Sequence, residues 1–585
     1  MRKLLSLIIL LMFALTACNS VDGSDGSSLG AIPENAIEIT IIYAPESDAY
    51  MPEIMSRFNE SYRNGRNPVT GQELQSGERP IYISGQPGSS GVVTLQIVNA
   101  VTNPASGDIA RPTIFQPSVS HWLALANHEA NRDLFDLADS PGTALAPVVM
   151  AIWESRLQAI RDTVGYDDIG WEELLDVLNS PNGWQDYGIA DGRRTVYYGH
   201  TDPYVSSTAL STLIAEYYAS ANANGFTGRR LTMDVVQDET IQEGVRDIEQ
   251  LIRHYSRRTT EFKNYIAQGP DYLDFVALEE NDLIAINRGQ TDFQPPEQLV
   301  ALYPKEGTFW HEHPFGIPNA SWVSEEQRQA ARNFADFVLL AEQQEFIMTF
   351  GFRPANPSVA LGFPIEPQFG VTVEGPTTVL DVPDAEVIGE IQESWSFVKK
   401  QADILIVIDV SGSMQQDNKI TQARQAALAF LDNTEATNRV GLAVFSTNYR
   451  VVVPIDVLEN NIVALQNAIN DLQADGGTAL FSAVVESTKL MEGLGDSDRI
   501  RAVVFLSDGE DTASPNDINL NAATDAIEQS YSTRNPVIFI PVGYGNLSSD
   551  LQRVLDSLGD ASNTQWIAGN PNTINELLEL ISSFF

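Results

Sequence analysis

Residues 404–414 read ILIVIDVSGSM, which is five aliphatic residues followed by an aspartate and two serines at alternating positions. A continuous apolar run of this length predicts a strand buried on both faces, as in a parallel sheet. Similar runs lie at 440–445, 503–506 and 537–542, and segments with helical periodicity separate them. Over residues 401–585 this alternation predicts an α/β domain with a doubly wound open sheet, whose ligands bind at the carboxyl ends of the strands.

Oxygen-bearing side chains follow these strands. Asp409, Ser411 and Ser413 lie in the turn after the first strand, Asp508 ends a later strand, and Thr478 follows two glycines. All five offer hard oxygen ligands, with no imidazole or thiolate near them in sequence, and such a set favours Mg²⁺, Ca²⁺ or Mn²⁺ over zinc or copper. Helix capping is an alternative for Asp409 and Ser411, but it explains neither Thr478 nor Asp508.

The order Asp-x-Ser-x-Ser, then Thr, then Asp resembles the metal-ion-dependent adhesion site of the von Willebrand factor A-type (VWA) domain. The resemblance covers residues 401–585 and implies a Rossmann-like domain in which the five residues hold one divalent cation, some of them through water. Mg²⁺ is the expected ion, with Ca²⁺ or Mn²⁺ as alternatives. It also implies a protein partner that supplies an Asp or Glu as a further ligand.

The amino terminus has the layout of an export signal. Two basic residues precede an apolar run at 4–15, which is shorter than the ~20 residues that a membrane-spanning helix needs. Residues 15–18, Leu-Thr-Ala-Cys, resemble the bacterial lipobox. This implies a signal peptide of residues 1–17 and a lipid on Cys18, with an incidental cysteine as the alternative. Residues 18–36 are rich in Ser, Gly and Asp and predict a flexible tether, so that the protein would be held by its lipid on the extracytoplasmic face of the cell membrane, at the surface or in the periplasm.

Strands and helices also alternate over residues 37–365. A β-branched run at 39–43 predicts a strand that opens an α/β unit, and the apolar run at 283–286 predicts another strand. Helical spacing of apolar residues predicts helices at 240–255 and 325–350. This long segment therefore has its own α/β core.

Three loops in this segment place hydroxyl groups at the start of a helix. They contain Ser89 and Ser90, then Ser118, then Ser207 and Thr208. Such helix starts bind anions through unpaired N–H groups and the helix dipole. The arrangement resembles the two-lobed periplasmic solute-binding proteins, most nearly those that bind oxyanions, and implies a small-solute or oxyanion cleft lined by these residues. A plain helix cap is an equal alternative for each of them.

Two shorter segments complete the chain. Residues 366–400 combine Pro- and Thr-rich turns with one helix at 385–399, which predicts a linker, and residues 574–585 predict a final amphipathic helix.

At 311–313 the sequence is His-Glu-His. Two such histidines share a face on a strand, but no further zinc ligand is in view, so a surface loop is the prediction.

Charge excludes one class of function. The chain has 78 acidic and 35 basic residues and a net charge of −43, which excludes a nucleic-acid binder. No nucleophile–base pair or phosphate loop is evident, so an enzyme is not predicted.

The leading hypothesis is a lipid-anchored extracytoplasmic binding or adhesion protein with metal-dependent partner recognition and a solute cleft. The alternative is the substrate-binding receptor of an ABC-type uptake system, with the VWA-like domain as a scaffold.

Overall fold

The computed structural model describes residues 31–189, 196–250, 252–256, 259–270, 272–495, 499–531, 536–545, 547–562, 564 and 566–569. The predicted signal peptide, Cys18, most of the tether and the predicted helix at 574–585 lie outside the described residues. Among the described helices, none combines the length and the apolar character that crossing a bilayer requires.

The first lobe contains a small parallel sheet in the order β2-β1-β3. Its elements are β1 (Ile37–Tyr43), α1 (Met51–Arg63), β2 (Ile81–Pro87), α2 (Ser90–Thr102), β3 (Ile114–Gln116) and α3 (His121–Glu129). Alternate residues of β1, namely Ile39, Ile41 and Tyr43, are buried in one core with the apolar face of α1. The strand predicted at 39–43 is confirmed.

The second lobe is built on a mixed sheet in the order β6-β5-β7-β4-β8, with β9 paired to β4. Strands β6, β5 and β7 run parallel, whereas β4 is antiparallel to its neighbours. The elements are β4 (Ala146–Trp153), α4 (Glu154–Val164), α5 (Trp171–Leu178), β5 (Tyr198–Thr201), α6 (Ser207–Ala223), α7 (Met233–Val236), α8 (Glu239–Glu249), β6 (Ile252–Ser256), α9 (Thr259–Ala267), β7 (Phe275–Glu279), α10 (Glu280–Asn287), β8 (Leu299–Leu302) and β9 (Trp310–His311).

The chain passes between the lobes more than once. After β9 it returns to the first lobe, where Gly316 bridges to Phe115. There α11 (Glu325–Val338) and α12 (Ala341–Met348) complete the first core. Val371 then packs in the core of the second lobe. The two lobes are therefore interleaved in sequence.

Two elements of the second lobe differ from the sequence prediction. Residues 283–286 lie in helix α10 and not in a strand, because a short run of apolar residues is compatible with a fully buried helix as well as a strand. The helix predicted at 240–255 ends at Glu249, and β6 begins at Ile252. Apolar residues keep helical spacing from α8 into β6. The sequence pattern therefore gave no sign that the helix ends there.

The carboxy-terminal domain is a six-stranded sheet in the order β12-β11-β10-β13-β14-β15. All its pairs are parallel except β11–β12. Helix α13 (Ala385–Val398) precedes this domain, whose elements are β10 (Ala402–Asp409), α14 (Lys419–Asp432), β11 (Arg439–Phe445), β12 (Tyr449–Val457), α15 (Leu458–Asn470), α16 (Leu480–Glu492), β13 (Ile500–Ser507), α17 (Leu520–Tyr531), β14 (Val537–Tyr544), α18 (Ser549–Asp560) and β15 (Ile567–Gly569).

Strand β10 shows why the sheet is doubly wound. Leu405 and Val407 pack in one core, while Ile404, Ile406 and Ile408 pack in the core on the opposite face. The predicted α/β fold class is confirmed, with a two-lobed part followed by a doubly wound domain. Strand β12 was not predicted, because its alternating exposure and central proline are typical of an antiparallel edge strand and not of a buried parallel one.

Helix α13, predicted within the linker, is packed and not free. Its buried residues include Ile388, Ile391 and Trp395. Tyr217 of α6 and Ser394 of α13 lie 2.6 Å apart at their hydroxyl oxygens. The helix therefore attaches the chain entering β10 to the second lobe.

Candidate functional site

The predicted metal ligands lie at the carboxyl edge of the carboxy-terminal sheet. Strand β10 ends at Asp409, and Asp508 follows β13 directly. Ile408 and Leu506 are paired in the parallel register of these two strands, so both carboxylates leave neighbouring strands at one edge. Thr478 precedes α16 at the same edge, where its backbone is bonded to the loop after β13.

Hydrogen bonds join these side chains into one group. The hydroxyl oxygens of Ser411 and Ser413 lie 3.0 Å apart, and Ser413 donates to Asp508 Oδ1 at 2.7 Å. A Cβ placed on Gly509 would lie 3.4 Å from Ser413 Oγ and 3.5 Å from Thr478 Oγ1. The two hydroxyls therefore face the same small space, which the glycine leaves open.

Asp409 is the most deeply buried of the predicted ligands. The backbone N–H of Ser411 donates to its Oδ1 at 2.8 Å, and the hydroxyl of Ser507 donates to its Oδ2 at 2.7 Å. Burial raises the pKa of Asp409 to about 6, although these hydrogen bonds oppose the shift. A buried carboxylate with neutral donors alone is a favourable place for a cation.

The donor set fits a divalent cation. It contains two carboxylates and three hydroxyls, which are the hard oxygen ligands that Mg²⁺ and Ca²⁺ prefer. All five predicted residues are brought to one edge of the sheet. Sequence reasoning missed Ser507, which orients Asp409 from the end of β13.

Lys419 is a second residue that the sequence prediction missed. Its ammonium lies 2.6 Å from Asp508 Oδ2, and its side chain is 13% exposed. The stem of Lys419 passes over Gly545, where an added Cβ would lie 3.0 Å from Lys419 Cε. Lys419 begins α14 and has no motif around it, so only the fold shows that it faces Asp508.

The predicted cleft residues of the first lobe contact one another. The N–H of Ser118 donates to Ser90 Oγ at 3.3 Å, and the hydroxyl of Ser118 donates to Glu46 Oε2 at 3.2 Å. Ser89 precedes α2 without capping it through its side chain and is half-buried. The start of α2 thus lies beside a carboxylate, which opposes an anionic ligand at this point.

The predicted cleft residues of the second lobe lie beside the first lobe. Ser207 Oγ accepts a hydrogen bond from Trp122 Nε1 at 2.9 Å. The hydroxyl of Thr208 is buried without a hydrogen-bond partner. The cap of α6 is Ser206, which accepts from Ala209 N. Neither Ser207 nor Thr208 is therefore needed as a helix cap.

The two lobes touch at these helix starts. The N–H of Gly91 donates to the carbonyl of Val205 at 3.2 Å. A Cβ on Gly91 would lie 1.9 Å from the carbonyl oxygen of Tyr204. Only a glycine allows this approach, so the contact between the lobes depends on it.

The prediction of a surface loop at the two histidines is wrong. His311 and His313 are fully buried, and both contact Glu279: His311 Nδ1 lies 2.7 Å from Oε1, and His313 Nε2 lies 3.2 Å from Oε2. Their other ring nitrogens contact the hydroxyls of Ser211 and Ser47. Since every ring nitrogen has a protein partner, a zinc site is not favoured here. The sequence could not show this, because Glu279 comes from β7.

Carboxylates predominate between the lobes. Burial, together with the charges of Glu279 and Asp282, raises the pKa of Glu46 to about 7. Burial raises the pKa of Asp282, although Lys263 lies 3.0 Å from its Oδ1. Burial also opposes the ionisation of Glu279, but the charge of His313 and hydrogen bonds from both histidines lower the pKa of Glu279 to about 2. The interior between the lobes is therefore short of positive charge.

Two family models match the chain. The model described as bacterial extracellular solute-binding protein matches residues 126–370, and the model described as von Willebrand factor type A domain matches residues 404–510. The chain thus contains a solute-binding domain and a VWA domain, both of which are typically binding or adhesion domains. The solute-binding match implies an extracellular or periplasmic location.

Curated relatives match only part of the chain. An uncharacterized protein of Synechocystis sp. is 30% identical over 126 residues, which are 21% of this chain and 28% of that protein. Inter-alpha-trypsin inhibitor heavy chain H4 of Homo sapiens is 28% identical over 140 residues, which are 22% of this chain and 15% of that protein. The chain therefore spans well under two thirds of the length of these relatives.

Solved structures resemble each part separately. A periplasmic thiamin binding protein is 12% identical, with 62% of this chain and 99% of that chain covered and a TM-score of 0.40. A von Willebrand factor type A protein from Catenulispora acidiphila is 22% identical, with 32% and 42% covered and a TM-score of 0.28.

Proposed function

We propose that this protein is an extracytoplasmic binding protein whose VWA domain recognises a protein partner through a divalent cation, with Mg²⁺ as the expected ion. The observation that carries the proposal is the convergence of five oxygen donors at one sheet edge. The residues that would hold the ion are Asp409, Ser411, Ser413, Thr478 and Asp508. A bound cation supplies the positive charge that a partner's Asp or Glu requires.

The protein's own residues prepare this contact. Ser507 and the N–H of Ser411 fix both oxygens of Asp409, so this carboxylate is oriented before an ion arrives. Ser413 is held by Asp508. The net charge of −43 repels an acidic partner at long range, and binding should therefore depend on the cation and on ionic strength.

Cation binding is the first test. Calorimetric titration of the full-length protein with Mg²⁺ or Mn²⁺ should show one site that Asp409→Asn removes. Asp432→Asn, which alters an exposed carboxylate at the end of α14, should leave it intact. Surface proteins of the native organism should then be captured by wild type in Mg²⁺ but not in EDTA, nor by Asp409→Asn. Equal capture in all three cases would contradict the proposal.

We also propose that the cleft between the lobes takes a small solute with a cationic or amine group. Among the described side chains, Ser118 alone donates a hydrogen bond to Glu46. The charges of Glu279 and Asp282 oppose the ionisation of Glu46, whereas the charge of His313 favours it. An amine would donate to these acceptors, whereas an oxyanion would meet their negative charge. Oxyanions, which the helix starts predict, stay the alternative solute class.

Thermal shift can separate the two solute classes. A ligand at 100 times its dissociation constant stabilises a protein by about 2.7 kcal/mol. Polyamines, quaternary ammonium compounds and basic amino acids should include a stabilising ligand, and Glu46→Gln should weaken its effect. Saturable stabilisation by sulfate or phosphate, unaffected by Glu46→Gln, would contradict a cationic solute.

The uptake-receptor function remains the second candidate, supported by the solute-binding match. Solute uptake by cells would then survive Asp409→Asn, and permease and ATPase genes would adjoin this one.

For either function we propose a signal peptide at 1–17, a lipid on Cys18, a tether at 18–36, a linker at 366–400 and the two domains at 37–365 and 401–585. Loss of membrane association in Cys18→Ala tests the anchor.

A further inference from the structure

A buried cluster in the second lobe brings together three side chains of the kind that bind metals. His200 lies on β5, Glu216 on α6 and Glu249 at the end of α8. One ligand atom from each lies within 4.8 Å of the other two. The residues are 2%, 0% and 0% exposed, respectively. The three elements thus point nitrogen and oxygen ligands into one dry space.

Each residue also has a buried atom without a hydrogen-bond partner among the described residues. These atoms are His200 Nε2, Glu216 Oε2 and Glu249 Oε1. The other carboxylate oxygens are held, since Tyr198 donates to Glu216 Oε1 at 3.2 Å and Tyr255 donates to Glu249 Oε2 at 2.7 Å. One oxygen of each carboxylate is therefore held by a tyrosine, and the other faces the cluster.

The histidine tautomer is fixed as well. His200 Nδ1 lies 2.6 Å from the carbonyl oxygen of Thr201. A carbonyl only accepts hydrogen bonds, so Nδ1 carries the proton and Nε2 presents a lone pair. Burial lowers the pKa of His200 to about 4, which disfavours a second proton at neutral pH. If both carboxyl groups were ionised, His200 Nε2 and the two inward carboxylate oxygens would share this space without a donor, which is costly in a protein interior.

We infer that His200, Glu216 and Glu249 hold a divalent transition-metal ion, with Zn²⁺ as the expected occupant. One imidazole and two carboxylates form a mixed nitrogen and oxygen ligand set that suits zinc, unlike the all-oxygen group around Asp409. Histidines that bind metals usually donate their other N–H to a carbonyl or carboxylate, as His200 does to Thr201.

The competing explanation is a proton shared between the two carboxyl groups. Burial and the charge of Glu249 raise the pKa of Glu216 well above its usual value, and burial raises the pKa of Glu249 to about 7. A proton on Glu216 would hydrogen-bond to Glu249 and reduce the repulsion between them. It would leave His200 Nε2 without a partner. A metal ion satisfies all three atoms at once, and for this reason we favour it.

The cluster adjoins the segment that leads into the VWA domain. The ring of Trp395 on α13 lies 5.2 Å from that of His200, and the N–H of Lys400 donates to Tyr255 at 3.0 Å. An ion here would therefore support the junction between the second lobe and β10 as well as the lobe itself.

Metal content of the full-length protein tests the inference. Because the cluster is buried, the protein should be refolded with ZnCl₂ or with chelator and then dialysed against EDTA. Zinc-refolded wild type should retain about one zinc per chain, while His200→Asn and Glu216→Gln should retain less than a tenth of it. Tyr198→Phe, which removes a supporting hydrogen bond, should weaken zinc affinity roughly 10- to 100-fold.

His121→Asn is the matched control. His121 is buried, and neither ring nitrogen has a hydrogen-bond partner, but it packs against Phe309 away from the two carboxylates. Its zinc content should equal that of wild type. If a variant fails to fold, Co²⁺-refolded wild type still decides the question, because a bound ion gives ligand-field absorption bands. Absence of zinc and of these bands from wild type, or retention of zinc in His200→Asn, would overturn the inference.

Discussion

Replacing Lys419 with methionine should tighten cation binding by the VWA domain. The Lys419 ammonium lies 2.6 Å from Asp508 Oδ2, and the Asp508 side chain is fully buried. A cation that binds Asp508 must share or displace this ion pair. Methionine keeps most of the stem that covers Gly545 but removes the competing charge, so Asp508 becomes fully available.

The size of the effect follows from the hydrogen bond that is lost. A buried hydrogen bond to a charged group contributes about 1.5–3 kcal/mol, and each 1.4 kcal/mol changes an equilibrium constant tenfold. Mg²⁺ affinity should therefore rise roughly 10- to 100-fold in Lys419→Met. Without the ion, the same variant leaves Asp508 buried and unpaired, which costs about 3–5 kcal/mol of unfolding free energy.

Two measurements with one control check this reasoning. Calorimetric titration gives the Mg²⁺ affinity, and chemical denaturation in EDTA and in Mg²⁺ gives the unfolding free energy. Lys489→Met alters an exposed lysine near the end of α16 and should change neither value. An unchanged or weaker Mg²⁺ affinity in Lys419→Met would refute the competition and indicate that Lys419 itself serves as the permanent counter-charge.

Three further outcomes are expected. Ser507→Ala removes the donor to Asp409 Oδ2 and should lower the unfolding free energy in EDTA by about 1.5–3 kcal/mol, measured by denaturation; no loss would mean that Asp409 is not held by this bond. Because burial raises the pKa of Glu46 to about 7, this carboxyl binds more protons when folded, so stability should fall as the pH rises from about 4.5 to 7. Denaturation over this range should show a smaller fall in Glu46→Gln, and equal slopes would contradict the shift. Gly91→Ala places a Cβ against the Tyr204 carbonyl and should separate the lobes, which small-angle scattering would detect as a larger radius of gyration.

The sequence indicated that Asp409 and Asp508 lie together because both residues follow buried strands. Once 404–408 and 503–506 are recognised as parallel strands, Asp409 and Asp508 must emerge at the same edge, whatever separates them in the chain. No comparable rule applies to Lys419, which lies on a helix start, or to Ser507, whose role depends on the exact strand end. These contacts are set by packing and not by a local pattern.

The second lobe shows the opposite case. His311 and His313 share a face, as predicted, but their partner Glu279 ends a strand that lies in the same interior. The His200 cluster likewise joins β5 to the middle of α6 and the end of α8. Such clusters depend on which side chains turn inward in three dimensions. In a chain with 78 acidic residues, no sequence pattern separates the few buried carboxylates from the many exposed ones.

The buried carboxylates bear on both proposed metal sites. A carboxylate transferred from water into a protein interior requires a counter-charge or a proton. Within the described residues, seven of the buried carboxylates have a basic side chain within ion-pair distance: Glu173, Asp274, Glu279, Glu280, Asp282, Asp403 and Asp508. The buried carboxylates without one are Asp409, Glu216 and Glu249. These three lie at the two positions where other ligand atoms also converge, so the missing positive charge and the available ligands support the two cation sites that we propose.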